Sequence, residues 1–141
     1  MKKLLLGIAA VCLAGFTFAQ DAPLWMRHSV ISPDGTTIAF TYKGDIYTVP
    51  VAGGRAMQIT TNPAYDTAPV WSPDSKRIAF ASDRMGSLDV YIVAKDGGEP
   101  RRLTTHSGSE TPLAFTDAGH VLFSAGIMPS AEAGVFPPHR P

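Results

Sequence analysis

Apolar and polar residues follow one order twice along the chain. The run Val30-Ile31-Ser32-Pro33-Asp34-Gly35-Thr36-Thr37-Ile38-Ala39-Phe40 returns 40 residues later as Val70-Trp71-Ser72-Pro73-Asp74-Ser75-Lys76-Arg77-Ile78-Ala79-Phe80, with seven of eleven positions identical. The downstream halves match too, Asp45-Ile46-Tyr47-Thr48-Val49 with Asp89-Val90-Tyr91-Ile92-Val93 and Gly53-Gly54 with Gly97-Gly98, now 44 residues apart. The extra four residues fall between Phe80 and Tyr91, so the second copy has a longer hairpin loop, around Asp83-Arg84-Met85-Gly86-Ser87, than the Lys43-Gly44 turn of the first. The copies close with Gln58-Ile59-Thr60-Thr61 and Arg102-Leu103-Thr104-Thr105. A third copy starts at Leu113 and runs to Phe123, with Phe115 in the place of Trp71 and Phe123 in that of Phe80.

Within a copy the pattern predicts short strands joined by tight turns. Ser-Pro-Asp-Gly suits a type I turn, because proline presets φ at the first corner, aspartate bonds to nearby backbone and glycine tolerates the exit geometry. The Gly-Gly pairs mark a second reversal. Strands are predicted over Thr36 to Tyr42 and Lys76 to Ser82, then Ile46 to Val51 and Val90 to Ala94, all rich in β-branched and aromatic residues. Pro50 ends its strand or marks an edge, since it cannot donate to a ladder. With the segments around Val70-Trp71 and Arg102 to Thr105, each unit supplies four strands in 40 to 44 residues. No window of comparable length after Ala19 has helical periodicity. Four antiparallel strands at this period describe a propeller blade, a sheet too small to bury both faces alone. The fold class predicted is all-β, a partial β-propeller of two complete four-stranded blades plus part of a third. Trp71, Phe40, Phe80, Tyr47 and Tyr91 are the expected filling between blades. A sandwich would bury the same aromatics, but it would not repeat a turn motif at this spacing.

Composition agrees with a turn-rich β protein. Gly (13) and Pro (12) are too frequent among 141 residues for a long-helix protein, and 45% hydrophobic content argues against disorder. Twelve basic residues balance twelve acidic ones with no basic run, so electrostatic capture of nucleic acid is set aside.

The first residues read as an export signal. Met1-Lys2-Lys3 precedes an apolar stretch from Leu4 to Phe18, and Thr17 and Ala19 place small residues just before Gln20, which puts cleavage after Ala19. An uncleaved anchor is the competing reading, but about fifteen apolar residues fall short of the roughly 20 that span a bilayer. No stable membrane insertion is expected after cleavage. The single cysteine, Cys12, lies inside this segment, so the mature chain would have no thiol chemistry and 10 basic against 12 acidic residues, a net charge of −2. The expected compartment is the periplasm or the outside of a bacterial cell. The organisation predicted is residues 1–19 as signal, 20–26 as linker, 27–125 as propeller repeats and 126–141 as an irregular Pro/Gly-rich tail.

No chemistry can be assigned to particular residues from motif or spacing. Ser82, Ser87, Ser107, Ser109, Ser124 and Ser130 lack the flanking glycines of a Gly-x-Ser-x-Gly nucleophile turn. His28, His106, His120 and His139 have no metal-ligand spacing, and solvent-facing or turn roles are expected for them. Asp83 and Asp89 could pair across a hairpin loop, yet a solvated loop with a local Asp83-Arg84 contact is the simpler expectation. The Gly-Gly pairs lack the spacing of a phosphate-binding turn, and Asp34 and Asp74 read as turn residues. No catalytic, cofactor-binding or metal-ligating residue is therefore nominated, and no cofactor is expected.

The pattern Trp71-Ser72-Pro73-Asp74, Ile78-Ala79-Phe80, Ser82-Asp83-Arg84, Asp89-Val90-Tyr91, Gly97-Gly98 and Arg102-Leu103-Thr104 resembles the WD-like repeat shared by TolB and the propeller domains of Tricorn-type proteases. It covers roughly Arg27 to Ala125. The repeats begin directly after the signal, at Pro23-Leu24-Trp25-Met26-Arg27, and the resemblance to TolB would imply a preceding α/β domain, so the Tricorn side is favoured. That resemblance implies a non-catalytic propeller portion of a periplasmic serine peptidase, binding or gating a peptide or protein segment in its channel, with the peptidase core beyond Pro141. The alternative is a TolB-like protein-binding propeller with no link to proteolysis. Fewer than three blades would leave sheet faces and edges without partners, so self-association is expected of the chain made alone.

Overall fold

A computed structural model describes residues 25–126. The predicted signal, Cys12, His139 and the predicted tail beyond Gly126 lie outside these residues. The described chain is all β-strand and turn, and none of its elements is a helix long and apolar enough to cross a membrane. Strands β1 (Arg27–Ile31), β2 (Thr37–Tyr42), β3 (Asp45–Pro50) and β4 (Met57–Gln58) form one antiparallel sheet in chain order. Strands β5 (Asp66–Trp71), β6 (Arg77–Ser82), β7 (Asp89–Ala94) and β8 (Arg101–Arg102) repeat it. A third sheet pairs β9 (Glu110–Phe115) with β10 (Val121–Ala125). These are two complete blades and half of another.

The turns follow from their residues. In the first blade the Ser32 carbonyl accepts the Gly35 N–H at 2.8 Å, and the Ser32 hydroxyl, which donates to Asp34 at 2.5 Å, accepts the Thr37 N–H at 3.0 Å. Asp34 in turn accepts the Thr36 N–H at 3.0 Å. The second blade repeats this clip with Ser72, Asp74, Lys76 and Arg77. The exit residue is left-handed in both copies, Gly35 at φ 72° and Ser75 at φ 56°. Ser75 is not a free substitute for glycine there, because its hydroxyl accepts the Asp34 N–H of the neighbouring blade at 3.1 Å. Lys43 and Gly44, at φ 52° and 89°, form the two-residue hairpin that a primed turn requires. In the second blade six residues replace them between Ser82 and Asp89.

The outer strands are shorter than the sequence implies. Only Arg101 and Arg102 pair as β8, although the Leu103 N–H still reaches the Val90 carbonyl at 2.7 Å and the Thr104 hydroxyl accepts the Val90 N–H at 2.9 Å. Thr60 caps Ile46 in the same way in the first blade, so a threonine side chain takes over where the ladder ends.

Register assigns each blade two faces. On one, here called leading, lie Ile31, Ile38, Phe40, Tyr47 and Val49 of the first blade and Trp71, Ile78, Phe80, Tyr91 and Val93 of the second. On the other, trailing, lie Ala39 and Ile46 of the first, and Ala79, Ala81, Val90 and Ile92 of the second. The buried core joins Ala39, Ile46 and Ile59 to Trp71, Ile78, Phe80, Tyr91 and Val93, which sets the trailing face of the first blade on the leading face of the second. Aliphatic residues of the first blade thus receive a face that carries three aromatic rings. The Trp71 indole N–H donates across the junction to the Val30 carbonyl at 3.2 Å. Of the expected filling, Phe40, Trp71, Phe80 and Tyr91 are buried, while Tyr47 is half-buried. Tyr47 stacks on Phe40 as Tyr91 stacks on Phe80, but it lies on the leading face of the first blade, which no other described sheet covers.

Two outcomes are expected. Phe80 is fully buried in the blade junction, so Phe80→Ala should lower the free energy of unfolding in urea by about 3–5 kcal/mol. The carboxyls of Asp34 and Asp74 are held below the ordinary 3.8, first by the serine hydroxyl and next by the backbone N–H two residues on. Each therefore favours the folded state above 3.8, and that contribution is lost as the pH falls through the lower folded-state value. Urea titrations across acid pH should show stability declining in that window, with a shallower decline in Asp34→Asn/Asp74→Asn.

Candidate site along the first strands

The first strands of the blades meet, β1 against β5 and β5 against β9, so they line the axis side of the stack. Each is an edge of its sheet. The starts of β5 and β9 are fixed by the hairpin of the preceding blade: the Asp66 N–H donates to the Gly44 carbonyl at 2.7 Å and the Glu110 N–H to the Leu88 carbonyl at 2.6 Å. A bulge follows in both complete blades, where His28 (φ 51°) and Ala68 (φ 50°) occupy equivalent positions. Beside the bulges the Thr67 hydroxyl and His28 Nδ1 lie 3.1 Å apart across the blade junction.

Two hollows open at opposite ends of these strands. At the starting end a hollow of about 450 Å³ is lined by Trp25, Arg27, Thr41, Lys43, Gly44 and Tyr65. Arg27 lies over the Trp25 ring at 5.9 Å, and neither Arg27 nor Lys43 has a carboxylate partner among the described residues. The hydroxyl of Thr41, a residue 2% exposed, also lacks a hydrogen-bond partner among them. This end offers positive charge and aromatic walls, with the buried Thr41 hydroxyl behind them. At the finishing end a hollow of about 440 Å³ gathers Val30, Ile31, Val70, Trp71, Leu113 and Phe115 from all three first strands. That end is apolar.

Behind the starting end lie two ion pairs with fully buried carboxylates. Arg84 Nη2 is 3.1 Å from both oxygens of Asp66, its Nε donates to the Ser82 hydroxyl at 2.8 Å, and its guanidinium lies 4.4 Å from the Tyr91 ring centroid. Arg102 reaches Asp89 at 2.7 Å. The expected local contact between Asp83 and Arg84 does not form. Asp83 instead accepts the Tyr65 N–H at 2.7 Å, because burying Asp66 in the junction demands a cation and the six-residue hairpin delivers Arg84 to it. Asp83 and Asp89 do not pair either, since Asp89 turns to Arg102. In the first blade the position of Asp89 is held by Asp45 and that of Arg102 by Gln58, which donates to Asp45 at 3.0 Å. Burial, and then the negative charge of Asp66, push the Asp45 carboxyl above its ordinary value.

The remaining sequence candidates are placed as follows. His28, His106 and His120 are exposed; His106 Nδ1 accepts the Gly108 N–H at 3.0 Å, and His120 lies 2.9 Å from Asp117 in the third-blade turn. The Gly119 N–H and then His120 hold the Asp117 carboxyl below its ordinary value. The structure brings none of Ser82, Ser87, Ser107, Ser109 or Ser124 within hydrogen-bonding reach of a histidine side chain among the described residues. No group of three or more His, Cys, Asp or Glu side chains suited to a metal occurs among them either. Arg27, Lys43, Thr41 and Tyr65 were not legible as one site, because they come from two blades and three separate segments.

Small four-stranded sheets stacked about their first strands define a β-propeller segment. The sequence pattern of the Tricorn protease N-terminal beta propeller domain matches residues 23–133, and the chain belongs to that family. It is 35% identical over 102 residues to Tricorn protease homolog 1 of Streptomyces coelicolor, covering 72% of this chain and 9% of that protein. It is 30% identical over 129 residues to the uncharacterized peptidase YuxL of Bacillus subtilis, covering 90% of this chain and 20% of that one. The chain thus spans a fifth or less of the length of these relatives. In fold it is similar to TolB from Acinetobacter baumannii, with a TM-score of 0.62 and 23% identity over 71% of this chain and 26% of that structure.

Removing Arg84 would leave Asp66 charged and buried. Arg84→Met should cost about 3–5 kcal/mol in urea unfolding, and adding Asp66→Asn should restore a large part of it, since the pair is then replaced rather than broken.

Proposed function

We propose that the chain is the peptide-binding propeller portion of an exported Tricorn-like peptidase, with peptide hydrolysis carried out by residues outside these 141. The observation that carries this reading is the pair of hollows at the two ends of β1 and β5, one cationic and aromatic, the other apolar. A first strand of six residues spans about 20 Å, so one extended peptide could touch both hollows while lying along free strand edges. Arg27 and Lys43 favour a carboxylate-bearing segment at one end; Val30, Ile31 and Leu113 favour an apolar side chain at the other. Family membership supports the link to a peptidase. The leader-like residues 1–19 and the likeness to TolB support export to the periplasm. The chain's part is to select or guide the segment, not to cut it.

Fluorescence anisotropy with a labelled, unfolded peptide carrying acidic and apolar residues tests this. Binding is expected to weaken on the order of tenfold, equivalent to about 1.4 kcal/mol, in Arg27→Glu/Lys43→Glu. Equal binding by wild type and variant would overturn the placement of the site. Unfolded casein should survive incubation with the chain, and cleavage stopped by a serine-directed inhibitor would overturn the division of labour.

A further inference from the structure

The chain carries two aspartate-glycine pairs, Asp34-Gly35 and Asp96-Gly97, and folds both into the same kind of turn. The Gly35 N–H donates to the Ser32 carbonyl at 2.8 Å and the Gly97 N–H to the Ala94 carbonyl at 3.0 Å, with the glycines left-handed at φ 72° and 91°. The backbones match, and the carboxylates do not. Asp34 accepts from the Ser32 hydroxyl at 2.5 Å, the Thr36 N–H at 3.0 Å and the Thr36 hydroxyl at 2.8 Å. The serine hydroxyl first, and then the backbone N–H, hold that carboxyl below its ordinary value, which keeps it ionised. Asp96 is exposed in the turn between β7 and β8, and its carboxylate makes neither a hydrogen bond nor an ion pair among the described residues. Its turn does not call for aspartate either. In the first blade Ala52 stands in the place of Asp96, and the Gly53 N–H still closes the turn on the Pro50 carbonyl at 2.9 Å, with φ 86°.

We propose that Asp96 is a site of spontaneous backbone isomerisation, through condensation of its free carboxyl with the Gly97 nitrogen. That nitrogen, unshielded by a glycine side chain, attacks Asp96 Cγ; the carboxyl hydroxyl and the amide hydrogen leave as water, and a five-membered succinimide closes. Water then adds back. Addition at the Cγ carbonyl breaks the new bond and restores aspartate, while addition at the α-carbonyl breaks the original peptide bond and leaves the chain running through Cγ as isoaspartate. Each cycle releases one water and takes up one, so no other reactant is needed. At Asp34 the bonds to Ser32 and Thr36 close this path, because the carboxylate must give them up before it can turn to Gly35. The product at Asp96 lengthens by one carbon the connection that leads into β8, where Arg102 meets the buried Asp89.

Peptide mapping by liquid chromatography and mass spectrometry, after prolonged incubation of the chain at neutral pH, tests the proposal. Isoaspartate, read as a peptide of unchanged mass and shifted retention, should accumulate at Asp96 and not at Asp34 in the folded chain. In guanidinium chloride, where the bonds around Asp34 are gone, both should convert. Incubation in heavy-oxygen water should place a labelled oxygen in each isoaspartate, since the ring opens by taking up solvent. Asp96→Glu, whose longer side chain cannot close a five-membered ring, should lose the product at that position. An unmodified Asp96 in the folded chain, conversion of Asp34 alongside it, or isoaspartate without the label would each overturn the proposal. So would an Asp34 that stays unchanged in guanidinium chloride, because its protection would then not come from the folded turn.

Discussion

Each blade has a face that it cannot bury by itself, and the remainder of the structure is arranged around that constraint. A four-stranded sheet whose outer strand pairs only two residues has no interior. Burial arises where Ala39 and Ile46 of one blade receive Trp71, Phe80 and Tyr91 of the next. Aliphatic side chains on one face and aromatic ones on the other make the junction directional, so blades stack in one sense. The second blade, covered on both sides, is accordingly the best buried part of the described chain, with Ile78, Ala79, Phe80, Ala81 and Val90 fully enclosed.

Local devices hold the sheets at the angle that this packing needs. The Ser-Pro-Asp clip fixes one end of every complete blade, and Ser75 extends it into a bond between blades. At the other end a backbone bond from each following first strand to the preceding hairpin sets the blade spacing. The hollows lie at the ends of these first strands, one beside the Lys43-Gly44 hairpin and the other beside the Ser-Pro-Asp corners. The hairpin of the second blade shows how four added residues acquire a purpose. They supply Arg84, without which Asp66 would be a buried and unpaired carboxylate.

Much of this architecture was legible because a repeat is a statement about periodic surroundings. Identical residues 40 apart at the Ser-Pro-Asp corner imply identical corners, and the aromatic positions implied a shared junction. The prediction of four strands per unit held, with β4 and β8 shortened where threonine hydroxyls replace the ladder. The local pairing of Asp83 with Arg84 did not hold, because neighbours in sequence point to different partners once Asp66 is buried between blades. Tyr47 was expected in the same environment as Tyr91, yet its face is one that no other described sheet covers.

The sequence by itself determined the blade, its turns, its order of strands and the family to which it belongs, because these rest on contacts within about 44 residues and recur in each copy. Only the tertiary structure decided which face of a blade meets the next, where Arg84 and Arg102 find their carboxylates, and how Trp25, Arg27, Thr41, Lys43 and Tyr65 come to surround one hollow. Those outcomes depend on the relative placement of separate sheets. Side chains there are brought together by burial across blades, and spacing along the chain carries no record of it.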